Sequence, residues 1–139
     1  MKKAALVLIA LGLGIFLTAK QGSRDRLMRL GIVSSASSQG IDTLSLSSPF
    51  HDSTSIHLVR PGVLIEPAGW IASSQRVSRL YVESDPYWSG ALKKMEAQLG
   101  SPRLEGAEWW LAEATGDVIA YWLTAKLADG HSLVYLDYF

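Results

Sequence analysis

The chain has 139 residues, no Cys, 13 basic and 13 acidic side chains, and 48% hydrophobic residues. Residues 1–20 hold Lys2, Lys3 and Lys20 and no acid, so the remainder is net acidic. That size allows one modest core and excludes a multidomain enzyme, a disulfide framework and a Cys zinc site. An acidic remainder argues against nucleic acid as the partner.

Met1-Lys2-Lys3 precedes Ala4 to Ala19, a run in which Thr18 is the only polar side chain. A basic start before an apolar run has the form of a signal-anchor or a secretory signal. As a helix the run spans roughly 24 Å, and Lys2, Lys3 and Lys20 can snorkel to the two interfaces. Cleavage after Ala19 would put Leu17 at the −3 position, where small residues are preferred, so an uncleaved anchor is the first reading. Arg24 to Val33 continues it as an amphipathic segment, with Leu27, Leu30 and Val33 at helical spacing. Arg24, Arg26 and Arg29 on its other faces suit anionic headgroups. Residues 1–33 thus read as an anchor with a basic juxtamembrane segment, the domain lying outside the inner membrane.

Residues 34–55 contain nine Ser and read as a spacer, within which Asp42 to Leu46 alternates and could add an edge strand. His51-Asp52-Ser53 uses catalytic residue types, but adjacent residues rarely form a triad, because each member approaches from its own direction.

From residue 56 to 139 the pattern predicts one α+β domain. Ile56 to Arg60 and Val63 to Glu66 are short β-type runs around Pro61-Gly62, a type II turn signal. Pro67-Ala68-Gly69 is a further break, and Val77 to Glu83 reads as another strand. A helix follows: Asp85 is its N-cap, Pro86 its first residue, and Gly100 ends it. Trp88, Ala91, Leu92, Met95 and Leu99 form its apolar stripe.

The last third reads as a three-stranded meander. Gly116-Asp117 and Asp129-Gly130 are taken as two-residue hairpin loops. With those loops, Trp110, Ala112, Ala114, Ile119, Tyr121, Leu123, Ala125, Val134, Leu136 and Tyr138 share the face under the helix. Trp109, Leu111, Trp122, Thr124, Lys126 and Tyr135 share the opposite face and are the candidate partner-binding residues. The alternative is that residues 56–83 fold back and cover that face.

No phosphate, dinucleotide or zinc motif occurs, and neither a cofactor nor a metal is expected. These features together predict a non-catalytic, single-pass envelope protein facing the periplasm, an accessory subunit or protein-binding module of a membrane complex. Two alternatives stand beside it. One is a secreted inhibitor, immunity-type protein or glycan binder released by cleavage. The other is a small hydrolase using His57 or His131 with Asp52, Asp85 or Ser53.

Overall fold

The computed structural model describes residues 20–34, 39–47, 52–63 and 74–139. The apolar run before Lys20, the Val63–Glu66 strand beyond Val63, the Pro67–Gly69 break and His51 lie outside the described residues.

A six-stranded antiparallel sheet organises the fold, in the order β1-β2-β6-β5-β4-β3. Its strands are β1 (Ile41–Leu46), β2 (Ser53–Val59), β3 (Ser74–Val77), β4 (Glu108–Thr115), β5 (Ile119–Lys126) and β6 (Ser132–Tyr138). Helix α1 (residues 20–29) lies on one face; α2 (Arg79–Ser84), α3 (Pro86–Leu99) and α4 (Ser101–Leu104) belong to the other. The class is α+β, with helical cover on both faces where a single helix on one face was expected.

Helix α1 is part of this fold. Leu27, Leu30, Ile32 and Val33 are buried, and they share a core cluster with Ala112, Ala114, Trp122, Val134 and Leu136 of the sheet. Gly31 ends the helix at φ 72°, with the Ile32 N–H donating to the Leu27 carbonyl and the Gly31 N–H to Met28. That is a Schellman cap, and it turns Ile32 back onto the core. The apolar residues of the expected interfacial segment therefore face the sheet. The stretch expected to be a spacer also joins the sheet: β1 forms its edge, and β2 begins at Ser53.

Pro61-Gly62 turns as expected: the Val63 N–H donates to the Arg60 carbonyl, and Gly62 takes the positive φ, 94°, that a type II turn requires. Helix α3 has the expected bounds. The Asp85 carboxylate accepts from the Tyr87 and Trp88 N–H groups, Pro86 follows it, and Gly100 closes the helix at φ 87°. Trp88, Ala91, Leu92 and Met95 are buried against the sheet, with Leu99 partly so. Asp85→Ala is expected to cost about 1 kcal/mol. It would appear as a lower urea midpoint with an unchanged slope.

Val77 to Glu83 is not one strand. The strand stops at Val77, and the Ser78 hydroxyl accepts from the Tyr81 N–H, capping α2. The Arg79–Glu83 ion pair at (i, i+4) supports the helix, and Val82 is its one buried residue. Beyond Val77 the segment expected as a strand carries no sheet pairing. Leu80 is exposed.

The meander exists, but both of its registers differ by one residue from the expected ones. Thr115 pairs with Ile119 and Glu108 with Lys126, while Ala120 pairs with Tyr138 and Lys126 with Ser132. Two-residue type I′ loops need positive φ at both central positions, and type II′ at the first. Neither Gly116, Asp117 nor Asp129 has one; Gly130 alone does, at 92°. The second hairpin instead closes by Gly130 N–H to the Leu127 carbonyl and Leu127 N–H to the His131 carbonyl. That is a three-residue loop with Gly130 at its bulge position.

Because side chains alternate with period two, a one-residue slip moves a whole strand's set to the opposite face. Here β5 turns over relative to β4 and β6. Trp110, Ala112, Ala114, Val134, Leu136 and Tyr138, expected under α3, lie under α1 instead, because α3 packs on the other face of those two strands. Ala120, Trp122 and Thr124 lie under α1 with Ala112, Ala114, Val134 and Leu136, whereas Tyr121, Leu123 and Ala125 share the α3 face with Trp109, Leu111, Leu133 and Tyr135.

Candidate functional site

The six residues expected to form one aromatic surface are therefore divided. Trp109, Leu111 and Tyr135 belong to the α3 face; Trp122, Thr124 and Lys126 belong to the α1 face. Trp109, Trp122, Thr124 and Tyr135 are buried. Lys94 lies over the Tyr135 ring and Lys126 over Trp110. Covering layers exist on both faces. Among the described residues, 20–33 lie on the α1 face with Val63 packed beside them. On the α3 face, α2, within the 56–83 segment considered as cover, shares the cluster of Trp109 and Tyr135 through Val82.

The α3 face is not covered along its whole length. At the end carrying Thr115, Ile119 and Tyr138, helices α2 and α3 stand off the sheet and leave a cleft of about 500 Å³. Its helical wall carries Tyr81, Tyr87 and Trp88; its sheet wall carries Leu111, Glu113, Tyr121 and Phe139. Tyr87 and Trp88 meet edge to face at 4.7 Å, and Tyr121 and Phe139 at 6.1 Å. Tyr81 and Tyr87 are each 47% exposed and Phe139 is 44% exposed. Ile119, also exposed, adjoins this wall, since its carbonyl accepts from the Phe139 N–H. Single exposed apolar residues are ordinary on a surface, but a group of rings around one concavity makes this cleft the candidate site.

The cleft arises from local sequence. The Ser78 cap turns the chain into α2, and Asp85 both ends α2 through its N–H and begins α3 through its carboxylate. The stripe of α3 buries Trp88, so its neighbour Tyr87 points away from the core. Across the sheet, register sets Glu113, Tyr121, Asp137 and Thr54 in one row. Asp137 is buried, which raises its pKa, while a hydrogen bond from the Thr54 hydroxyl pulls the other way.

On the opposite face, His57 joins α1 to β1 and β2. Its Nε2 lies 3.0 Å from Ser23 Oγ and 2.9 Å from Ser55 Oγ, and its Nδ1 lies 3.1 Å from Thr43 Oγ1. All four residues are buried, and His57 is 0% exposed. Burial, reinforced by the Arg24 charge, lowers the His57 pKa to about 3. Neutral imidazole is then the resident form, one that accepts at one nitrogen and donates at the other. A Ser–His contact is the vocabulary of nucleophilic catalysis, yet here hydroxyls surround the ring and α1 covers it. The arrangement fastens α1 to the sheet.

The remaining residues named from sequence are separate. Ser53 accepts from Arg26 and pairs with Tyr138, whereas Val59 at the far end of that ladder pairs with Ser132, next to His131. Six residues of strand put Ser53 and His131 about 20 Å apart. His131 interacts with Asp129, whose pKa is lowered by the His131 backbone N–H and by Arg103. Asp85 lies in the cleft on the other face from His57. Of the basic residues assigned to the bilayer, Arg26 also stacks over Tyr138 at 4.3 Å, Arg29 is exposed, and Lys2 and Lys3 lie outside the described residues. Among the described residues no helix is long and apolar enough to cross a membrane, and no group of acidic and His residues could hold a metal.

No protein-family model, curated protein or solved structure matches this chain.

Proposed function

We propose that the chain is a single-pass envelope protein, anchored in the inner membrane by its N-terminal apolar run. Its folded part is a non-catalytic protein-binding module, an accessory subunit of a membrane complex, and the aromatic cleft is where it holds its partner. One observation carries the reading: Tyr81, Tyr87 and Phe139 stay exposed around a single concavity, while the other aromatics among the described residues are buried or half-buried. Rings of this kind bring large contact area at low entropic cost. Helix α1 is oriented consistently with such a tether. Ser23 meets His57, and one turn later Arg26 meets Ser53 and Tyr138, so the helix advances toward the cleft end of the sheet. A membrane segment preceding α1 would then leave from the opposite end.

The test is affinity purification of the full-length chain from its native membranes in gentle detergent. Stoichiometric recovery of a membrane complex is expected. It should be lost in a Tyr81→Ala, Tyr87→Ala double variant and kept in Met28→Ala, whose site is exposed on α1. Exposed substitutions of this kind change stability by only about 0.5 kcal/mol, so the fold itself should survive. Recovery of the chain alone in the soluble fraction, beginning at Lys20, would replace this reading with the secreted binder.

A further inference from the structure

We infer that the occupant of the cleft is a cationic side chain, Arg or Lys, presented by a peptide segment of the partner protein. The inference rests on the reading of the cleft as a binding site and adds the chemistry of its ligand. Among the described residues, two carboxylates, Asp85 and Glu113, are the only charged groups in the lining, and no basic residue is present there. Glu113 is exposed and makes no ion pair or side-chain hydrogen bond among the described residues. The nearby acid Glu83 is already bound to Arg79. The N-terminus of α3 would itself attract an anion, but the Asp85 carboxylate already occupies it. What remains unpaired in the cleft is negative charge.

The rings point the same way. Elsewhere this molecule places its own cations over its rings: Arg26 over Tyr138, Arg79 over Trp109, Lys94 over Tyr135 and Lys126 over Trp110, at 4.3–6.0 Å. Among the described residues no cation lies over Tyr81, Tyr87, Tyr121 or Phe139. Aromatic faces with a carboxylate beside them attract an ammonium or guanidinium through the ring quadrupole and the charge together. A neutral sugar would stack on the rings and donate its hydroxyls to the carboxylates as well, but it would leave their negative charge uncompensated, which a cation does not.

Nuclear magnetic resonance titration of the full-length protein in zwitterionic micelles tests this with three probes. They are a blocked Gly-Arg-Gly peptide, its citrulline counterpart, which is a neutral near-isostere, and a neutral oligosaccharide. The arginine peptide should shift the amides of Tyr87, Glu113, Tyr121 and Phe139. The citrulline peptide should bind at least fivefold more weakly, and Glu113→Gln should weaken the arginine peptide about five- to tenfold. Equal binding of the two peptides, indifference to Glu113→Gln, or binding of the oligosaccharide alone would overturn the inference. If the arginine and citrulline peptides bind equally while the tyrosine double variant still loses its partner, the charge assignment fails and the cleft reading stands. If neither holds, both fail.

Discussion

Trp122→Ala is expected to cost about 3–5 kcal/mol, a loss that can unfold a domain with a stability of about 5–15 kcal/mol. The indole is 0% exposed and lies between Ala112 and Leu136 in the sheet register, in the cluster closed by Leu27, Leu30 and Ile32. Its neighbours on that face include Ala112, Ala114 and Ala120. Small residues leave space that the indole and α1 fill together, and none of them can expand to refill it. The sequence reading made Trp122 a surface anchor, for which the same change would spare the fold. A urea titration followed by circular dichroism separates the two, since a surface position would leave the midpoint nearly unmoved.

Acidification is expected to loosen the fold through His57. Its pKa is about 3 in the fold against an ordinary value of 6.5. Between those values the unfolded chain binds a proton that the folded chain refuses. The contribution is fully present above pH 6.5 and is lost progressively as pH falls toward 3, by about tenfold in the folding equilibrium per pH unit. Integrated over the window, this is on the order of 5 kcal/mol. Protonation would turn an acceptor nitrogen into a donor among Ser23, Ser55 and Thr43 and place a charge beside Arg24. Asp137 works in the opposite sense, because its raised pKa favours the fold as acid is added from its folded value toward 3.8. The clean readout is therefore the stability gap between wild type and His57→Asn. That gap should narrow as pH is lowered from 6.5 to 4; a constant gap would mean that His57 is not held neutral by the fold.

The parts legible in the sequence were those governed by local chemistry. Asp85, Pro86 and Gly100 mark the ends of α3, Pro61-Gly62 sets a turn, and the alternation at Asp42 to Leu46 marks the edge strand. What failed was set by φ values that a dipeptide does not determine. Gly116-Asp117 and Asp129-Gly130 resemble two-residue loops, yet each hairpin admits one more residue, and β5 turned over as a result. With that slip Trp122 falls on the face of Leu111 and Tyr135 instead of the face of Ala112 and Leu136, although Leu111 of the expected surface does line the cleft. Tyr81 and Tyr87 could have been found: the Ser78 cap starts a helix, and Tyr87 falls off the stripe that buries Trp88. The inclusion of α1 in the core was harder to see, because an apolar run followed by a Leu27–Leu30 stripe suits a bilayer and a sheet equally well.

The cleft is proposed as the surface that meets a partner. A photo-cross-linking residue placed at Tyr87 in the full-length chain, and separately at Met28, tests this in intact membranes. One defined adduct is expected from the Tyr87 position, lost when Tyr81 is changed to Ala, and none from Met28. The same adduct from both positions, or from Met28 alone, would contradict it.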